Sequence, residues 1–208
     1  MRYTPDHKDK TRAKILDSAA LAFRRQGYHA TGVDKVMEAA GLTAGGFYLH
    51  FPSKGELLAQ ALEHCSASVA GKLERGLEDV SHQQWMEAVV DRYLASSNRD
   101  RPEEGCPIPA LAPEVGRAGQ GPRQAFERMV INLVARLAAH LPADGNDELA
   151  IALTALCVGG MTLARAVDDP GYADKILAVC RQFAHDSVAA RAPAKAKTRA
   201  KRRADRDA

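Results

Sequence analysis

Several things are missing from this 208-residue chain, and each absence narrows what it can be. Its longest uncharged run, between Glu148 and Arg165, holds 16 residues, short of the ~20 needed to span a bilayer. That run contains Thr154, Gly159, Gly160 and Thr162, so it reads as a buried helix. The opening Met1-Arg-Tyr-Thr-Pro-Asp-His-Lys8 has no apolar core of a signal peptide. Together these predict a soluble cytoplasmic protein with no membrane partner. The four cysteines, Cys65, Cys106, Cys157 and Cys180, lack C-x-x-C or other metal-ligand spacing, so neither a metal nor a cofactor is expected. Cys157 and Cys180 sit in apolar stretches as small hydrophobes. No His/acid pair stands at a recognisable position to activate Cys106 as a nucleophile, which argues against an enzyme. Past residue 62 no strand alternation occurs, and the expected fold is all-α.

What is present is a charge segregation and a run of helix punctuation. The net charge of +3 combines a basic head, an acidic body and a basic tail. Residues 1–60 carry 9 Lys and Arg against 6 Asp and Glu, residues 61–190 carry 12 against 18, and residues 191–208 carry 8 against 2. Such a chain suits a protein that meets a polyanion with part of its surface.

The punctuation lies between Thr31 and Leu57. Thr31 precedes Val33, Val36, Met37 and Ala40 at helical spacing. As N-cap it would accept a first-turn amide, with Asp34 in the capping-box position. Gly41 stops that helix by taking the left-handed conformation of a C-terminal cap. Thr43 caps the next helix, which carries Phe47 and Tyr48 and ends before Pro52. Ser53 and Glu56 form a second capping box, opening a helix through Leu57, Leu58, Ala61 and Leu62. Two helices joined by about three residues match a helix-turn-helix, although an ordinary helical hairpin would be punctuated in the same way. The exposed residue types favour DNA: Lys35, Thr43, Tyr48, His50 and Lys54 all offer donors suited to phosphates.

Residues 11–62 resemble the N-terminal domain of the TetR family of bacterial repressors. The resemblance rests on the helix Thr11 to Gly27, Tyr28-His-Ala-Thr31, Ala40-Gly41-Leu42-Thr43, and Gly46-Phe47-Tyr48-Leu-His50-Phe51-Pro-Ser53-Lys54-Gly-Glu56-Leu57. It implies that Thr31, Thr43, Tyr48, His50 and Lys54 contact double-stranded DNA, mostly at phosphates. It also puts Ala44, Gly45 and Gly46 at the exposed start of the recognition helix. The family more often has Lys or Pro, then Gly, then Thr, Ser or Ala at those three positions. Two adjacent glycines cost about 1 kcal/mol each in helix propensity relative to Ala and leave little side chain to read bases.

The body reads as further helices. One is expected from Gln83 to Asn98, presenting Trp85, Val89 and Leu94; Arg99 to Gly105 is a charged loop. Pro107, Pro109 and Pro113 keep the next segment short. Phe126, Val130, Leu133, Val134, Leu137 and Leu141 form an apolar stripe that Pro142-Ala-Asp-Gly145 ends. The last two helices, about 146–167 and 172–189, are each apolar on two sides, which calls either for one large core or for a partner subunit. The TetR resemblance implies a homodimer through these helices. The division expected is a DNA-binding unit over 1–52, an effector-binding and dimerisation unit over 53–190, and a disordered basic tail over 191–208 that either is merely solvated or clamps DNA phosphates.

Two effector chemistries stay open. A small molecule could enter an apolar pocket lined by Trp85, Met86, Tyr93, Phe126, Met129 and Met161. Alternatively Cys106, at a loop-to-helix junction, could sense electrophiles, since a helix N-terminus lowers a thiol pKa. Gly105-Cys106, followed by Leu111 and Glu114, also resembles a TetR branch with electrophile-responsive members. In that branch a Lys approaches the Cys, and Arg165 aligns there. The competing function classes are a non-specific DNA-associated structural protein and, less favoured, a cysteine-dependent enzyme.

Overall fold

A computed structural model describes residues 5–141 and 146–191. The expected breaker at 142–145 and the basic tail from residue 192 lie outside the described residues. Among the described residues the chain is helical, with no strand. Helix α1 spans Pro5–Gln26, α2 Val33–Ala39 and α3 Lys54–Glu74, with a 3₁₀ helix at Ala44–Leu49 between the last two. Then come α4 (His82–Tyr93), α5 (Ser96–Arg99), a 3₁₀ turn at Pro102–Glu104, α6 (Ile108–Val115), α7 (Gln120–Ala138), α8 (Asn146–Ala166) and α9 (Pro170–Ala190).

Local chemistry sets these limits. Gly41 has φ +73° and closes α2, and Ser53 accepts the Glu56 amide to open α3. Ser81 and Gln84 form a reciprocal capping box at α4, two orphan donors satisfied at once. Asp169 caps α9 through the Gly171 amide, with Pro170 in the first turn, where its missing N–H costs nothing.

Two expectations need correction. The helix expected over 83–98 stops at Tyr93, because Leu94 leaves helical geometry, Ala95 is extended and the Asn98 side chain donates to the freed Tyr93 carbonyl. Thr31 is not the cap of α2; that position is Gly32, and no side chain bonds there.

Helix α3 ties the two ends together, packing on α1 at one face and on α7 at the other. Phe23, Phe47, Phe51, Met37 and Leu57 fill the N-terminal core; Met86, Leu94, Leu111, Leu153 and Met161 fill the other end. Helix α8 is apolar and long enough, by length and composition, to cross a membrane. It instead packs against α6, α7 and α9, burying Leu153, Cys157 and Met161 and leaving Ile151 and Leu163 exposed.

Candidate nucleic-acid interface and effector cleft

The turn between α2 and the 3₁₀ helix presents a compact exposed surface. Phe47 is fully buried and stacks on Phe51 with ring centroids 5.9 Å apart. That pin directs its neighbours outward, so Tyr48 and Leu49 are each 75% exposed. Thr43, Ala44, Gly45 and Lys35 are also exposed, and Gly46 is half-buried. A side chain at 46 would touch Met37, whereas one at 45 would meet open space. Thr43 is the N-cap residue but makes no side-chain cap bond, which leaves its hydroxyl free of that duty. The element it opens is a six-residue 3₁₀ helix, a tighter form used in short pieces.

Thr31 does not join this surface. Its side chain is 0% exposed, and its hydroxyl donates to the Gly27 carbonyl at 2.7 Å. With Gly32 in the cap position, Thr31 turns inward and fastens the end of α1. Lys54 is half-buried over the Tyr28 ring, 4.3 Å from its centroid, and donates to the His29 carbonyl at 3.5 Å. Burial lowers the Lys54 pKa from its ordinary value, while Glu114 pulls it back up. His50 is half-buried, its pKa lowered by burial and then by Lys8 and Arg12. Sequence reading missed Arg12, which donates to the His50 carbonyl at 2.6 Å, bonds Gln60 and covers the Phe51 ring. Leu49 was missed as well, because an apolar residue on a helix reads as core until its neighbours are placed.

Beyond this head, α3, α4, α6 and α7 enclose a cleft of about 660 Å³. Of the expected effector residues, Tyr93, Met129 and Cys106 line it. Trp85, Met86, Phe126, Met161 and Arg165 do not. Met86 and Met161 are fully buried core. Trp85 stacks flat on His140 at 3.6 Å, and Phe126 is half-buried against the core. Cys106 is buried, and the expected lowering of its pKa is reversed. Desolvation raises it against the lowering effects of the Ile108 amide, Tyr93, Arg165 and Arg24. A helix-end dipole is a weak effect of about 0.3–1 kcal/mol, and burial outweighs it. Burial also pushes the Cys157 thiol up, to about 12.

A short helical head with an exposed turn, followed by a helical body with an enclosed cleft, matches known proteins. The family model for "Bacterial regulatory proteins, tetR family" matches residues 15–61. An HTH-type transcriptional regulator of Mycobacterium tuberculosis, Rv0196, is 30% identical over 172 residues, spanning 76% of this chain and 86% of that protein. The chain belongs to the TetR family. Among solved structures, a TetR-family regulator from Cytophaga hutchinsonii superposes with TM-score 0.77 at 19% identity, covering 92% of this chain and 99% of the other. Reduced NemR from Escherichia coli gives TM-score 0.71 at 18% identity, covering 84% and 95%; both likenesses show the fold. The protein is a DNA-binding helix-turn-helix transcriptional regulator.

In this TetR-family chain the cleft and the head share a direct polar link. Helix α6 begins at Ile108, just after Cys106 in the cleft wall, and carries Glu114 in its last turn. The Glu114 carboxylate accepts the backbone N–H groups of Tyr28, at 3.1 Å, and His29, at 2.7 Å. Arg24 of α1 reaches the other way and donates to the Gly105 carbonyl at 2.8 Å.

Proposed function

We propose that the protein is a homodimeric repressor whose paired helix-turn-helix units hold a palindromic operator, and that a small molecule in the cleft releases it. Residues 1–52 contact DNA and residues 53–190 hold the effector and the second subunit. The DNA surface consists of Lys35, Thr43, Ala44, Gly45, Gly46, Tyr48 and Lys54, with His50 behind them. Thr31 acts from within by fixing the loop. The exposed apolar side chains of α8 and α9 support a partner subunit: Ile151, Leu163, Val179 and Phe183 are all more than half exposed. A subunit seated there sets two recognition elements about 34 Å apart, one turn of B-DNA.

The observation that carries the effector half is the Glu114 link. Any cleft occupant that shifts α6 disturbs the carboxylate holding Tyr28 and His29, the residues on which Lys54 rests. An effector must favour the DNA-incompetent arrangement to act at all. Burial of Cys106 favours a non-covalent effector over thiol chemistry. The protein would work in the cytoplasm, where its DNA is.

Footprinting on DNA flanking the protein's own gene tests this reading. A protected inverted repeat supports it, whereas uniform, salt-sensitive protection would point to a non-specific DNA-associated protein. Sedimentation of Leu163→Glu/Phe183→Glu should give a folded monomer with lost operator binding. A dimer that survives both charges removes the proposed interface.

A further inference from the structure

Two cavities meet at one wall. The 660 Å³ cleft and a smaller cavity of about 210 Å³ share Val69, Leu73, Tyr93 and Cys106. Their remaining linings differ in chemistry. The cleft is walled mainly by apolar side chains such as Ala70, Ile108, Met129 and Leu133, and its two arginines, Arg128 and Arg136, are paired with Glu63 and Glu74. The smaller cavity is ringed by Lys72, Arg92 and Arg101. Its one carboxylate, Glu104, is divided between Arg101 at 3.5 Å and Lys72 at 4.0 Å, and Arg92 is anchored on the carbonyls of Leu73 and Arg75.

The wall and the side chain behind it hold under-used donors. Tyr93 is 5% exposed, and its hydroxyl meets no oxygen or nitrogen acceptor, only the thiol of Cys106, a weak partner. Arg165, behind the wall and lining neither cavity, donates from Nη2 to the Asn98 carbonyl at 2.8 Å and feels the charge of Glu103, yet its buried Nε and Nη1 have no hydrogen-bond partner. Gly105 permits this crowding, since a Cβ there would stand 2.3 Å from Asn98 Oδ1 and 3.2 Å from Arg165 Nη2. The Arg165 charge is felt at both Tyr93 and Cys106. A buried donor left short of an acceptor is costly, and an arginine cannot relieve it by losing its proton. These groups donate, and around them Lys72, Arg92, Arg101 and Arg165 outnumber Glu103 and Glu104. What answers them is an acceptor that carries negative charge.

We propose that the effector is an amphipathic anion, its acidic head in the smaller cavity against Tyr93 and under the charge of Arg165, its apolar body in the cleft along Leu73, Met129 and Leu133. This rests on reading the cleft as the effector site and adds the chemical class of what fills it.

Calorimetric titration of the full-length protein with octanoate, 1-octanol and octyltrimethylammonium tests it, all three having the same tail. Octanoate should bind about tenfold or more tighter than the alcohol, the value of one well-made polar contact, and the cation should bind worst. Tyr93→Phe and Arg165→Gln should each remove most of that preference by weakening octanoate far more than the alcohol. If Arg165→Gln fails to fold, the near-isosteric Tyr93→Phe still decides. Equal binding of octanoate and octanol, no octanoate binding, or an unchanged preference in Tyr93→Phe overturns the proposal. A parallel operator-release assay separates the two levels. If the alcohol or the cation releases DNA at as low a concentration as octanoate does, the effector cleft stands and the anion falls. Octanoate bound without any release leaves the anion site and removes the cleft's regulatory role.

Discussion

Two buried hydroxyls separate the head of this protein from its body. Thr31 in the head gives its proton to the Gly27 carbonyl, and nothing about it is left to satisfy. Tyr93 in the cleft wall is buried too, and its proton meets only the Cys106 sulfur, a weak acceptor. The same contrast extends to charge. In the head Arg12 is spent on His50, Gln60 and Phe51, and Glu114 on two backbone amides. In the body Arg165 keeps two buried N–H-bearing nitrogens unused, against one ring nitrogen, His50 Nδ1, in the head. A reader of DNA works with its surface and gains from an interior that is closed. A receptor works with its interior and has to leave something open there.

The largest effect that tests this contrast comes from two truncations. Phe47→Ala opens a cavity in a closed core and should cost about 3–5 kcal/mol. Met129→Ala removes a side chain that already borders open space, and its cost should lie near the low end for buried residues, about 2 kcal/mol. Urea unfolding of both variants gives the comparison. Equal losses would mean that the cleft is packed as tightly as the head.

How far each region was legible follows from the range of its interactions. Caps, turns and exposed donors in the head are set within a few residues, so Gly41, Ser53 and Tyr48 could be placed from sequence, whereas Lys54, expected to be exposed, is half-buried over Tyr28. The last helices, expected at about 146–167 and 172–189, are found at Asn146–Ala166 and Pro170–Ala190 for the same reason. Thr31 was misassigned because a threonine ahead of a helix is a preferred cap; the cap fell one residue later, at Gly32, and the side chain turned inward. The cleft is assembled from helices far apart in sequence. Periodicity marks Trp85, Met86 and Met161 as inward-facing, but it carries no information on whether an inner face meets a neighbour or a void. Cys106 failed for a related reason: its place at a helix start is local, and its burial is not.

A smaller effect is expected at Thr31. Thr31→Val keeps the shape and deletes the donor, leaving the Gly27 carbonyl short of a partner, at a cost of about 1–2 kcal/mol. Operator affinity of the folded fraction should hold, because the hydroxyl has no path to a phosphate. A variant that melts like the parent and yet binds DNA more weakly would return Thr31 to the interface.

The smallest effect, and the one of opposite sign, belongs to Tyr93→Phe in the ligand-free protein. Deleting a hydroxyl normally costs what its hydrogen bond contributed, but this hydroxyl has only the weak acceptor of the Cys106 thiol. Removing a poorly paired buried polar group is close to neutral and can stabilise, here by at most about 1 kcal/mol. Thermal melts without added ligand should show Tyr93→Phe equal to or above the parent, while Thr31→Val falls below it. Both substitutions delete one buried oxygen and its proton and spare the rest of the side chain's shape, so their difference isolates whether the oxygen was in use. If Tyr93→Phe loses as much stability as Thr31→Val, the Tyr93 hydroxyl has a strong partner inside the protein and is not waiting for one from outside.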